Sequence, residues 1–101
     1  MTPDENVPEG ALDVPPLARE EPSAVEVLRI WSAPDGVQQL SLRTTWTDPG
    51  AWGLLLVDVA RHAARAYARD GIDEEVALAR IHELFSAEWS SATDEPEELG
   101  G

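Results

Sequence analysis

The chain has 101 residues, with 20 acidic residues against seven basic ones and a formal net charge of −13 at pH 7. This length suffices for one small domain and leaves little room for a buried active-site cleft. The acidity disfavours direct binding to nucleic-acid phosphates or anionic lipids. Because cysteine is absent, disulfides, thiolate metal sites and a cysteine nucleophile are excluded. The N-terminus lacks the basic and apolar regions of an export signal, and no apolar run is long enough to span a bilayer, so we expect a cytoplasmic protein.

Much of the negative charge lies at the two ends of the chain. Residues 1–23 carry six acids, one arginine and five prolines, a net charge of −5, and residues 93–101 carry four acids and no base, a net −4. Acidic, proline-rich composition of this kind resists both helix and sheet. We therefore predict disordered acidic tails at 1–23 and 93–101 around a single small α+β domain at 24–92. The first tail contains an apolar island formed by Leu12, Val14 and Leu17. This island would dock on the domain or on a partner, although a solvated tail is the favoured interpretation.

Residues 24–45 have the pattern of a β-hairpin, with β-branched and aromatic residues on either side of a Pro-Asp-Gly segment at 34–36. A three-residue loop with Gly36 in the left-handed conformation pairs Ala33 with Val37. That register gathers four aliphatic side chains on one face: Leu28, Ile30, Leu40 and Leu42. A two-residue turn would split them between the faces, so we predict the three-residue loop.

The opposite face of this hairpin, which we call the outer sheet face, is more apolar than a solvated face needs to be. It carries apolar and aromatic side chains beside two arginines: Val25, Val27, Arg29, Trp31 and Arg43. This makes it a candidate surface for contact with a protein partner or a second copy of the chain. The alternatives are that the N-terminal arm or a helix covers it, or that Trp31 is simply exposed at the end of the hairpin.

Two helices are predicted after the hairpin. The first has Asp48 as its N-cap and Pro49 at its first position, and it ends near Asp70 with Gly71 as the residue that closes it. The second has Asp73 as its N-cap. Apolar residues recur at three- and four-residue steps in both helices, and alanines between positions 60 and 68 would allow another helix to approach closely. The short link between the helices predicts an antiparallel pair.

These elements predict an α+β fold in the order β-β-α-α, with the helical hairpin covering the apolar face of the sheet in two layers. A two-stranded sheet leaves both of its edges unpaired. Pairing of one edge with a second copy would give a four-stranded sheet and a larger core, so a homodimer formed through the sheet is a hypothesis.

Three segments resemble a known family. They are the strand from Ala24 to Trp31, the Leu-Ser-Leu-Arg run at 40–43, and the Trp-Thr-Asp-Pro-Gly-Ala-Trp-Gly segment at 46–53 with the helix that follows to Tyr67. In these residues the chain is similar to a small bacterial family of short chains catalogued as a domain of unknown function. The resemblance implies a stand-alone cytoplasmic bacterial protein, and it supplies no activity, ligand or catalytic residue.

The two histidines are the residues to weigh for catalysis. His62 lies four residues after Asp58, so a helix brings an imidazole beside a carboxylate, the geometry that orients a general base. No nucleophile accompanies the pair, and a surface hydrogen bond or ion pair is the favoured interpretation. His82, near Glu75 and Ser86 in helical projection, is interpreted in the same way. No metal-ligand spacing such as HExxH is present, so we predict no catalytic residue, metal or cofactor.

Arginines and tryptophans are the remaining candidates for a ligand site. Arg29 and Arg43 would be diagonal neighbours able to grip a carboxylate or phosphate beside Trp31, although pairing with acids of the tails is the favoured interpretation. The other three tryptophans are Trp46, Trp52 and Trp89. They would line an aromatic pocket or form part of the core, and we favour the core because the domain is so small.

Three classes of function follow from the sequence. We expect a non-catalytic protein-interaction module acting through the outer sheet face or the acidic arm. The first alternative is a protein that binds a small anionic or aromatic ligand, or a minor enzyme. The second is an acidic mimic of nucleic acid, which would need ordered carboxylates on a rigid surface, whereas most of the net charge here lies in the tails.

Overall fold

The computed structural model of the chain describes residues 7–91. Within them lie helix α1 (Leu17–Glu20), strands β1 (Leu28–Ser32) and β2 (Gln38–Leu42), and helices α2 (Gly50–Arg69) and α3 (Glu74–Ser90). The predicted α+β fold, two antiparallel strands followed by two helices, is confirmed. The region predicted as a single domain comprises two compact units that divide between Thr47 and Asp48, and the packing of helices on sheet in two layers stays a prediction. The predicted tail at 93–101 lies outside the described residues.

Strands β1 and β2 pair in the register that the aliphatic pattern predicts. Leu28 lies opposite Leu42, and Ile30 lies opposite Leu40. Leu28 is partly buried, whereas the other three side chains are each more than half exposed. The four aliphatic side chains therefore share one face of the hairpin, as predicted, and the hairpin by itself does not bury them.

The predicted three-residue loop joins the two strands. The Ala33 amide donates to the carbonyl of Val37 at 2.8 Å, which closes the loop. Gly36 has a φ of 92°, a left-handed conformation that costs a residue with a Cβ about 1–2 kcal/mol. Asp35 supports the turn because its carboxylate accepts the Val37 amide at 3.0 Å. The Pro-Asp-Gly segment therefore sets the register of the hairpin.

The N-terminal arm contains local structure from residue 7 onward. Ala11 donates its amide to the carbonyl of Pro8 at 3.2 Å, and α1 forms one helical turn after Pro16, whose φ of −54° already suits a helix. The sequence did not predict this turn, because a four-residue helix is too short to show apolar periodicity. All three residues of the apolar island are exposed, as in the solvated interpretation: Leu12, Val14 and Leu17.

The aspartates predicted to precede the first turns of the two long helices both accept backbone amides there. Helix α2 begins at Gly50, where the Asp48 carboxylate accepts the Gly50 amide at 2.8 Å and Pro49 has a helical φ of −57°. Asp73 caps α3, because its carboxylate accepts the amides two and three residues further on, at 2.9 and 3.3 Å. These contacts satisfy amides that have no partner inside a helix.

Helix α2 ends in a Schellman motif. The Ile72 amide donates to the carbonyl of Tyr67 at 3.1 Å, and the Gly71 amide donates to the carbonyl of Ala68 at 3.2 Å. Gly71 has a φ of 99°, as expected for the residue that closes such a motif. The chain therefore reverses direction within a few residues and places α3 antiparallel to α2.

Helices α2 and α3 pack against each other, and each contributes one buried side chain, an alanine. Among residues 7–91 the buried side chains are those of Ala64, which is 0% exposed, and Ala77, which is 7% exposed. That alanines permit a close approach of a second helix stays a prediction, in keeping with this burial. The larger apolar residues of the two helices are exposed, or half-buried as at Trp52, Leu55, Leu78 and Ile81.

Candidate functional site

An open apolar groove runs along the helical hairpin between α2 and α3. We call it the helical groove. Helix α2 lines it chiefly with Trp52, Leu56, Val59, Ala60, Ala63 and Tyr67, and helix α3 with Leu78, Ile81, His82, Phe85, Ser86 and Trp89. The apolar members follow the three- and four-residue steps of the stripes predicted from the sequence. Each stripe therefore exists, and the two together line one continuous groove.

Aromatic side chains are prominent in this groove. Trp89 is 80% exposed, and Phe85 stacks against it with ring centroids 5.6 Å apart and an interplanar angle of 23°. Tyr67 is half exposed. The interpretation of Trp89 as a core residue is therefore wrong, because helical periodicity shows which side of a helix is apolar but not whether anything covers it.

Of the residues predicted for the outer sheet face, Arg29 and Trp31 lie on β1, whereas Val25, Val27 and Arg43 lie outside the two strands. Arg29 and Trp31 line one depression together with Gln39, Leu40 and Ser41 of the neighbouring strand. Of the other predicted members, Val25 is exposed and Val27 is partly buried. The role of this face in binding a partner stays a prediction.

The N-terminal arm lies against part of the outer sheet face. Trp31 is 37% exposed, and a Cβ placed on Gly10 would be 3.8 Å from the Cζ3 atom of its ring. The arm therefore passes close to the Trp31 ring but leaves it exposed, and coverage of this face by the arm stays a prediction.

The two arginines of the outer sheet face both bond to Glu26. Arg29 donates to the two carboxylate oxygens of Glu26 at 3.0 and 2.8 Å, and Arg43 donates from Nε to the Glu26 carbonyl at 3.3 Å. The hydrogen bond and charge of Arg29 lower the pKa of Glu26, and Glu26 raises the pKa of Arg29 in return. Among the described residues, the ion-pair partner of Arg29 is thus Glu26, next to β1, rather than an acid of the tails, and Arg43 bonds to the main chain of the same residue.

The histidines make short-range helix contacts. His62 donates from Nδ1 to the backbone carbonyl of Asp58 at 2.8 Å, because a carbonyl oxygen can only accept. This surface hydrogen bond joins the imidazole to the main chain of Asp58 rather than to the carboxylate considered from the sequence. His82 Nε2 lies 3.5 Å from Ser86 Oγ, at the outer limit for a hydrogen bond.

Over residues 7–91 no three His, Asp or Glu side chains are grouped so that they would hold a metal ion. In the same range, no helix combines the length and the apolar character needed to cross a bilayer.

The β-β-α-α order and the open helical groove define a small α+β protein, and comparison with known proteins gives its family. The family model DUF5076, a domain of unknown function, matches residues 11–93. The chain belongs to this family, which confirms the resemblance read from its strands and from the Trp-Thr-Asp-Pro-Gly-Ala-Trp-Gly segment.

One solved structure is similar to the chain over almost its whole length. It comes from the photosynthetic bacterium Rhodopseudomonas palustrus CGA009 and is described as a "putative pyruvate dehydrogenase". It shares 41% identity with the chain at a TM-score of 0.74, over 94% of this chain and 98% of that one. No curated protein matches the chain.

Proposed function

We propose that this protein is a non-catalytic protein-interaction module whose binding surface is the helical groove. The observation that supports the proposal is the continuous apolar lining of the groove, in which Trp89 is 80% exposed. Contiguous apolar patches of this kind mark interaction sites. Tryptophan and tyrosine, both present in the lining, are the side chains that most often dominate binding energy at protein interfaces.

The dimensions of the groove favour a protein partner over a small ligand. Helices of 20 and 17 residues are about 30 and 26 Å long at 1.5 Å per residue. The groove has a volume of about 1420 Å³, whereas pockets for small molecules are typically about 300–1,000 Å³ and enclose most of the ligand. An open groove of this length matches the helix-in-groove mode of protein recognition.

Affinity purification from the native cell tests this function with three baits. The wild-type chain and a Leu84→Glu control should retain the same partner, because Leu84 is exposed on α3 but does not line the groove. A Phe85→Glu bait should lose that partner, because it places a charge in the apolar lining. Equal retention by all three baits would contradict binding through the groove.

Binding of a small molecule is the second candidate, because the aromatic side chains of Trp52 and Trp89 line the groove. The fluorescence of these two residues would report a bound ligand. The description of the similar solved structure names pyruvate, so pyruvate and related 2-oxo acids are the first ligands to titrate. A saturable change in fluorescence would favour a ligand-binding protein or enzyme over an interaction module. The acidic mimic of nucleic acid is tested by removing residues 1–23 and 93–101, which should abolish mimicry.

A further inference from the structure

We infer that a second copy of this chain occupies the helical groove, so that two helical hairpins pack face to face as a four-helix bundle. This inference rests on the proposed function, because it names the partner of the same groove. It differs from the homodimer considered from the sequence, in which the copies would pair through an edge of the sheet.

The area of the helical face is sufficient for such a dimer. Two helices about 30 and 26 Å long, each about 10 Å wide, present a face of roughly 500 Å² in projection. Packing two such faces together buries about 1,000 Å² or more in total, which reaches the lower bound for a specific protein interface. A single helical hairpin gains little stability from burial of apolar surface, because its buried side chains are the alanines Ala64 and Ala77. A second copy would instead cover the aromatic residues of the groove.

The charges of the two helices are complementary. Helix α2 has a net charge of +2, from three arginines and one acid: Arg61, Arg65, Arg69 and Asp58. Helix α3 has a net charge of −3, from four acids and one arginine: Glu74, Glu75, Glu83, Glu88 and Arg80. Two hairpins related by a two-fold axis can stack each helix on its own counterpart or α2 on α3. The second arrangement brings opposite charges together, whereas the first brings like charges together.

Stacking α2 on α3 has two structural consequences. The two-fold axis runs along the helices, so neighbouring helices of the bundle are all antiparallel, as in common four-helix bundles. Trp52 at the start of α2 and Trp89 at the end of α3 lie at the same end of the hairpin and both line the groove. The dimer would therefore bring four indole rings together at one end of the bundle.

Sedimentation equilibrium of the full chain tests whether a second copy of the chain occupies the helical groove. The wild-type protein should sediment at 22.0 kDa, twice its mass of 11.0 kDa. Phe85→Glu should raise the dissociation constant by roughly a thousandfold, since two hot-spot side chains are lost per dimer. Leu84→Glu is the matched control, and it should remain a dimer. If circular dichroism shows that Phe85→Glu has lost its helices, Trp89→Ser replaces it, because Trp89 is 80% exposed and its removal leaves no cavity.

Substitution of Arg61 tests the arrangement of the helices. Arg61 lines the groove near the middle of α2, so it would face the acidic α3 in one stacking and its own counterpart in the other. With α2 on α3, Arg61→Gln should weaken the dimer by roughly twofold to thirtyfold, and Arg65→Gln, outside the groove lining, should leave it unchanged. A tighter Arg61→Gln dimer would overturn this arrangement.

Two results would overturn the dimer itself, and both can be told apart from failure of the proposed function. A wild-type monomer at micromolar concentration excludes the second copy, yet a partner captured by the wild type and lost in Phe85→Glu would still support an interaction module. A wild-type dimer that neither Phe85→Glu nor Trp89→Ser weakens would place the interface elsewhere, with the sheet edge as the next candidate.

Discussion

Replacement of Ala64 by leucine should separate the two helices. Ala64 is 0% exposed and lies on α2, which packs against α3, so three additional carbon atoms have no open space to enter. Either the helices move apart along the groove or the new side chain takes an unfavourable rotamer. Ala66→Leu is the matched control, because Ala66 lies two residues further along α2, is exposed and does not line the groove.

The expected cost follows from that burial. Overpacking of a filled contact destabilises a protein by about 1–3 kcal/mol, and we expect about 2 kcal/mol here because Ala64 is fully buried. For a domain of this size, that cost lowers the melting temperature by roughly 8–16 °C. Ala66→Leu should change the free energy of unfolding by less than about 0.5 kcal/mol.

Urea unfolding followed by circular dichroism at 222 nm measures both variants, because the signal comes mainly from α2 and α3. Both must be compared with wild type at one protein concentration, since association would add to the apparent stability. Equal unfolding midpoints for Ala64→Leu and Ala66→Leu would refute the alanine contact and with it the geometry of the groove.

Three further changes test individual contacts. Gly36→Ala should destabilise the chain by about 1–2 kcal/mol in thermal unfolding, and the cause would be backbone strain alone, because nothing lies within 4 Å of the added Cβ; an unchanged melting temperature would contradict the left-handed turn. Asp73→Ala should cost about 1 kcal/mol through loss of the helix cap, with the decrease measured by urea unfolding, and an unchanged midpoint would show that the cap is dispensable. Because Arg29 lowers the pKa of folded Glu26, the stabilisation by this pair is complete above the pKa of Glu26 in the unfolded chain and is lost as the pH falls through the lowered folded value. The stability difference between wild type and Glu26→Gln should therefore shrink on acidification, and a difference that is the same at every pH would argue against the ion pair.

Local features of this fold were predictable because short segments determine them. The Pro-Asp-Gly segment at 34–36 sets the loop length, and the loop length sets which aliphatic residues share a face. Asp73 and Gly71 mark the start of one helix and the end of the other, because each satisfies backbone groups within a few residues of its own position. Contacts of this range leave direct signals in a single sequence.

The candidate site was not predictable in the same way. The apolar stripes of α2 and α3 were predicted, and their packing on the sheet stays a prediction, whereas Trp89, which was assigned to the core, is exposed. A stripe records only that one side of a helix avoids water. The surface that covers it can belong to a distant part of the chain or to another molecule. The contact of the arm with Trp31 was likewise raised only as one alternative, because proline-rich acidic segments carry no periodic signal.

Thiol labelling of a single cysteine in the groove tests most directly whether a second copy covers it. The natural chain has no cysteine, so Ser86→Cys would place one thiol in the groove lining, and Ala66→Cys would place one on the open side of α2. We predict that a maleimide labels Ser86→Cys at least about tenfold more slowly when the protein is concentrated than when it is diluted, because only a covered thiol is protected. Ala66→Cys should react at the same rate in both conditions. Equal labelling of Ser86→Cys at every protein concentration would contradict coverage of the groove by a second copy.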